Sequence, residues 1–361
     1  MKKICIVAGA RPNFIKVAPL IRAIDKTDDI CYRLVYTGRS DDPTLEGSLF
    51  DDLQVPHPDA FLDVDSVSLN EITGKVMSAF EHYLDENPAD VVIVVDDLAS
   101  TMAAAIVAKK QGVKLAHLVA GTRSFDIKMP KEINRLVIDG LSDFLFTAGM
   151  SNNSITNREG TEQSRVYMVG NILIDNLRFN HNRWLRPAVL DDLGLQEEGY
   201  IVFTLNRKAL LADRENLQAM LQSIVEKSGG VPIVAPLRGM AKTVVEQLLA
   251  NIDGTDRVNI IEPLGYLEFG YLTLQAKGII TDSGNVAEEA TFNGVPCITL
   301  NSYTEHIETV KVGTNVLVGE DPEQLALAVE TLVGSHWKQS SIPDRWDGRS
   351  AERIVSILLN A

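Results

Sequence analysis

The chain has 361 residues, 45% hydrophobic and 23% charged, enough for two globular domains of ordinary size. Lys and Arg number 34 against 49 Asp and Glu, and this net charge of −15 argues against a nucleic-acid partner, because neutralising phosphates needs a basic face. No apolar run is long enough to span a bilayer and no Cys/His spacing reads as a metal site, so no membrane span, metal or other cofactor is expected.

Met1-Lys2-Lys3-Ile4-Cys5-Ile6-Val7 superficially has the start of a secretion signal, but its apolar run ends at Gly9-Ala10-Arg11-Pro12, so residues 4–8 read as a first strand. Helix follows over 12–24, strand over 31–36, a short helix over 43–53 and helix over 70–84. Next come a fully apolar strand over 91–95, an Ala-rich helix over 99–110, strand over 113–119 and a helix over 130–141 opened by Pro130. Strand over 144–147, helix over 151–159 stopped by Gly160, and strand over 166–169 complete this half. Residues 179–198, rich in Asn, Arg, Pro, Asp and Gly, read as an interdomain connection.

A second alternation has strands over 200–204, 231–235, 258–261, 278–281, 297–300 and 315–318, with helices between them. A last helix over about 350–359 would return to the first half. The expected fold is α/β: two facing Rossmann-like, doubly wound domains with ligands at the C-terminal strand ends and in an interdomain cleft, the GT-B architecture. The domains are expected at 1–180 and 190–340, with residues 348–361 packing back on the first. Cys5, Cys31 and Cys297 are sparse and set in apolar contexts, which suits reduced thiols and a cytoplasmic protein.

Three strand ends carry chemistry. After the first strand, Arg11 and Lys16 stand where an anion can bind, or are a solvated basic pair on the first helical turns. Asp96 and Asp97 end a buried strand and suit either catalysis or helix capping. At Thr281-Asp282-Ser283-Gly284-Asn285-Val286, a strand turns sharply into a helix. Gly284 lets the backbone come close to a phosphate, Ser283 offers a hydroxyl, and Glu289 lies one turn in, where a carboxylate takes both hydroxyls of a ribose. The alternative is an ordinary capped turn. Arg135 suits a carboxylate or phosphate ligand, or a structural pair with Asp97 or Glu132.

On these motifs the chain resembles the non-hydrolysing UDP-N-acetylglucosamine 2-epimerase family, nearly end to end. Residues 281–289 resemble the family's TDSGG-x-QEE segment, residues 9–19 its GxRP-x-x-IK-x-AP block, 117–124 its HVEAGLRS block and 130–135 its PEE-x-NR block. The resemblance implies that Ser283, Gly284 and Glu289 hold the UDP diphosphate and ribose, that Arg11 and Lys16 face the phosphates, and that Asp97 is the family's acidic residue. It also exposes departures. Val119 stands where the family has its catalytic glutamate, Lys131 for a glutamate, Asn206 for a histidine, Arg39 for a glutamine, and Asp96 and Asn285 for glycines; His306-Ile307 stand for Arg-Pro. His117 reads as a packed, hydrogen-bonded histidine.

Losing one positioned acid or base costs roughly 10²–10⁴ in rate. The main expectation is therefore chemistry at C1 of a nucleotide sugar, by transfer or hydrolysis, with Asp97, Lys16 and Arg11 catalytic. Ser283, Gly284, Asn285, Glu289, Asn206, Lys131, Arg135 and Arg39 are expected to bind the substrate. The alternatives are C2 epimerisation with relocated acid and base, and a non-catalytic nucleotide-sugar-binding subunit. Arg39 and Lys131 further suggest an anionic sugar or acceptor. A homodimer is also among the expectations.

Overall fold

The structure, a computed structural model, describes residues 1–45, 47–159, 162 and 165–360. The stop expected at Gly160 lies outside them. Among the described residues, strands β1 (Lys2–Ala8), β2 (Ile30–Tyr36), β3 (Ala60–Phe61), β4 (Val91–Val95), β5 (Lys114–Ala120), β6 (Phe144–Thr147) and β7 (Val166–Met168) form one sheet in the order 3-2-1-4-5-6-7. Strands β8 (Ile201–Thr204), β9 (Ile233–Pro236), β10 (Val258–Ile261), β11 (Gly278–Thr281), β12 (Cys297–Thr299) and β13 (Asn315–Leu317) form another, in the order 10-9-8-11-12-13. Every pairing in both sheets is parallel. Helices alternate with the strands, and the fold is of the GT-B class.

Parallel strands covered on both faces become continuous apolar runs, and β4, Val-Val-Ile-Val-Val, is buried throughout. The helices begin where the sequence offers caps. Pro130 opens Pro130–Leu141, and the Asp321 carboxylate accepts the N–H groups of Glu323 and Gln324 at the start of Pro322–Val333. Gly294, at φ 74°, ends Gly284–Asn293 in the left-handed conformation a side chain resists.

The chain divides into two compact units, Met1–Phe179 with Asp344–Ala361, and Asn180–Pro343. In the first, Val7, Val35, Val92 and Val94 meet Phe80 and the alanines of Ala99–Lys110, whose small side chains let that helix lie close to the sheet. Helix Ser350–Leu359 packs on Arg11–Ile24, and the buried Asp175 carboxylate accepts its first N–H groups, from Ser350 at 3.1 Å and Ala351 at 2.8 Å. In the second unit, Phe203, Ile280 and Ile298 join Leu217, Val245 and Val329 in the core.

In a doubly wound sheet, ligands bind outside the carboxyl ends of the strands where the order reverses. That point lies between β1 and β4 in the first sheet and between β8 and β11 in the second.

Candidate functional site

At the first reversal, a methyl on Gly9 would sit 2.3 Å from Ser100 Oγ and 2.9 Å from Leu98 Cδ1, so any side chain there would have to displace both. Asn13 turns back, its Oδ1 accepting the N–H groups of Gly9 at 2.8 Å and Ala10 at 3.2 Å. Its Nδ2 donates to Asp96 Oδ2 at 2.8 Å, and Lys16 Nζ lies 2.6 Å from Asp96 Oδ1. Asp96 itself has φ 57°, a left-handed conformation that Asp tolerates better than most residues. The helix after β1 and the turn after β4 are thus joined through one carboxylate.

The neighbouring Asp97 is buried. Arg135 donates to its Oδ2 from Nε at 2.8 Å and approaches it with Nη2 at 2.6 Å, while Lys131 Nζ lies 3.3 Å from Oδ1. Burial pushes the Asp97 carboxyl up, but the charges of Lys131 and Arg135 outweigh it and hold it below the usual carboxylate range. Of the two pairings expected for Arg135, it makes both, since its Nη1 also lies 3.2 Å from Glu132 Oε2. Glu132 is committed elsewhere: its carboxylate accepts the Ser124 N–H and hydroxyl and the Phe125 N–H, which fixes the loop after β5.

Lys16, Asp96, Asp97, Lys131 and Arg135 therefore form one cluster. Arg11 is half-buried at the first position of its helix. Arg39 lies exposed in the loop after β2, forked onto Asp41 at 2.7 and 2.6 Å and 3.6 Å from Asp65. It lines a cavity of about 490 Å³ together with Gly9, Ala10, Asp65 and Ser100.

At the second reversal, the Asp282 carboxylate accepts the backbone N–H groups of Asn206 at 2.8 Å and Arg207 at 2.6 Å, tying β8 to β11. The side chain of Asn206 is left exposed. Thr204 and Thr281 share a 2.6 Å hydroxyl contact, and Thr281 Oγ1 accepts the Ser283 N–H at 3.0 Å. Ser283 precedes helix Gly284–Asn293 without capping it through its side chain. A methyl on Gly284 would meet nothing within 4 Å, and its φ is ordinary, so neither packing nor backbone conformation requires glycine there. Asn285 and Glu289 are half-buried on the first two turns, and Glu288, beside Glu289, is buried 3.7 Å from His306 Nε2.

The sequence model of the family described as UDP-N-acetylglucosamine 2-epimerase matches residues 22–359. The chain belongs to that family. It is 36% identical to UDP-N-acetylglucosamine 2-epimerase of Methanocaldococcus jannaschii, over 99% of this chain and 98% of that one. It is 33% identical to UDP-2,3-diacetamido-2,3-dideoxy-D-glucuronate 2-epimerase of Pseudomonas aeruginosa, over 92% of each. The crystal structure of the M. jannaschii enzyme in complex with UDP-GlcNAc and UDP matches with a TM-score of 0.88 at 35% identity, covering 99% of this chain and all of that one.

The expectation of chemistry at C1 finds no support in these relatives, whose names place them at C2. Within the epimerase family, the departure at Val119 has a structural signature. Val119 has φ 73°, and the pairing of β5 with β6 slips between Leu118 and Ala120. A β-branched residue in this region is strained, and strain of this kind collects at functional positions. The backbone at this position thus has an unusual conformation on a valine, where the resemblance implies a glutamate. Sequence reasoning missed Asn13, whose bond to Asp96 appears only once β1 and β4 are side by side. The spacing of Asn13 from Gly9 and Ala10 was the one available signal, as a local cap.

Proposed function

We propose that the protein binds a UDP-sugar and epimerises a 2-acetamido sugar at C2. The observation that carries this reading is family membership over nearly the whole chain, joined by an Asp97 held ionised at the switch point of the first sheet. In this reading, Ser283, Gly284 and Asn285 bind the diphosphate with helix N–H groups and Glu289 binds the ribose. An ordinary φ and an open Cβ position at Gly284 fit a glycine kept for a ligand.

Epimerisation through elimination of UDP needs a base for the C2 proton, charge to stabilise the leaving diphosphate, and a proton donor on the other face. Asp97 is the base, and Arg11 and Lys16 supply charge. Lys131, 3.3 Å from Asp97 and 57% exposed, stands where the family has an acid but on the same side as the base, so it adds charge there and the proton for the other face is assigned to solvent. Asn206 and Arg135 contact the substrate or hold those that do. Because Arg39 and Lys131 already face carboxylates, a neutral sugar such as UDP-N-acetylglucosamine is the proposed substrate. The anionic-sugar expectation is tested by assaying a UDP-2-acetamidoglucuronate beside it. A homodimer remains part of the proposal and is read by light scattering.

Val119 favours a second reading, in which a UDP-sugar is bound without turnover, because a valine has no proton to exchange. Calorimetry with UDP, followed by proton exchange at C2 in D₂O, separates the two. Binding with exchange supports the epimerase, binding without exchange supports the second reading, and no binding removes both. No helix of the described residues is long and apolar enough to cross a membrane.

A further inference from the structure

His117 lies in β5, 1% exposed, in the row beside Val94 of β4. Its Nε2 is 2.9 Å from the carbonyl oxygen of Asp96, and its Nδ1 is 2.5 Å from Asp139 Oδ1 on helix Pro130–Leu141. A backbone carbonyl only accepts, so Nε2 carries a hydrogen. Asp139 is equally constrained. Its Oδ2 accepts the N–H of Gly121 at 3.1 Å and faces Arg123 Nη2 at 2.8 Å, and that guanidinium is forked onto Glu159 at 2.8 and 2.6 Å. A carboxylate so placed against a guanidinium stays ionised and accepts from its other oxygen as well, so Nδ1 also carries a hydrogen.

We propose that His117 is a buried imidazolium, balanced by Asp139, that holds the Asp96 carbonyl and so positions the Asp96–Asp97 turn. Charge alternates along the chain of contacts: Glu159, Arg123, Asp139, His117, and then the accepting carbonyl. A charge this deep is tolerable only when paired, and the pairing is complete. The next carbonyl of the turn, Asp97 O, is held in the same way by Asn134 Nδ2 at 2.8 Å. Two successive carbonyls are thus fixed from β5 and from helix Pro130–Leu141, and the directions of the Asp96 and Asp97 carboxylates follow. The positioning role rests on the proposed function; the protonation state does not.

The test is nitrogen NMR of the full chain with ¹⁵N-labelled histidine, the His117 signals being identified by their loss in His117→Gln. At pH 7.5, both His117 ring nitrogens are expected in the protonated range; one nitrogen in the unprotonated range overturns the proposal. In Asp139→Asn, the amide cannot balance the charge and His117 is expected to lose one ring proton; a ring still doubly protonated there overturns the pairing. If that variant does not fold, the wild-type spectrum decides. His117→Gln is expected to leave UDP affinity unchanged and to slow C2 exchange at least about tenfold. A wild-type exchange rate in the variant overturns the positioning role. Absence of exchange in the wild type itself counts against the proposed function, and the ring-protonation result stands independently.

Discussion

Arg135 grips Asp97 with two nitrogens, Nε at 2.8 Å and Nη2 at 2.6 Å, and the guanidinium is fully buried. Breaking such a pair leaves an uncompensated buried charge, which costs about 3–5 kcal/mol. Arg135→Leu is therefore expected to lower unfolding free energy by about that amount in urea titrations, and Arg135→Lys by less, because the ammonium keeps the charge but not the fork. Since Asp97 is held below its ordinary range, its contribution is present at neutral pH and lost as pH falls through the folded value. The penalty of Arg135→Leu should accordingly shrink in strong acid.

Asp175 behaves in the opposite way. Burial raises its carboxyl to about 6, although the N–H groups of Ala351 and Ser350 work to lower it. With the folded value above the unfolded one, the native state holds more protons between about pH 4 and 6, so stability falls as pH rises through that window. Asp175→Asn should flatten this slope, by up to about 2 kcal/mol between pH 4 and 7. Thermal melts of both proteins across that range check it; parallel curves would show that Asp175 is not responsible.

Gly284 separates a ligand role from a structural one. The fold gives a methyl room at this position, so Gly284→Ala should keep the melting temperature within about 2 °C. If the diphosphate lies on this helix N-terminus, UDP affinity should fall about tenfold or more, equivalent to about 1.4 kcal/mol. Unchanged affinity would remove the diphosphate from this turn.

Val119→Glu places a carboxylate on a left-handed backbone at the β5 irregularity, where the resemblance implies a glutamate. Exchange at C2 of UDP-N-acetylglucosamine is expected to rise about 10²-fold, the usual worth of one positioned acid or base. No change would mean that this position does not face the reacting carbon.

Much of the fold was legible because the local signals agreed. β4, Ala99–Lys110 and Pro130–Leu141 have the bounds that their apolar runs and the opening Pro130 suggest. Helix Ile172–Asn180 drew no reading because its buried face carries Asn176 and Asn180, and polar residues hide a helical stripe. The Asn176 side chain meets partners far away in sequence, donating to the Ile15 carbonyl and accepting from Arg22. β3 is two residues long and exists only through its pairing with Val35 and Tyr36. The short helix expected from residue 43 begins at Ser48. In the site, single residues were legible and pairings were not. Asp96 was read as suited to catalysis or helix capping, and its pairing with Lys16 and Asn13 was not legible. Arg39 was read as a cation for the ligand, and its neighbours Asp41 and Asp65 could not be read from spacing.

The central claim is that this chain breaks the C2–H bond of a UDP-2-acetamido sugar with Asp97 as base. Its most direct measurement is deuterium incorporation at C2 of UDP-N-acetylglucosamine in D₂O, followed by NMR alongside calorimetric binding of UDP. The account predicts deuterium at C2, appearance of the manno epimer, and loss of both in Asp97→Asn while UDP still binds. UDP binding with no deuterium at C2 after prolonged incubation would contradict it.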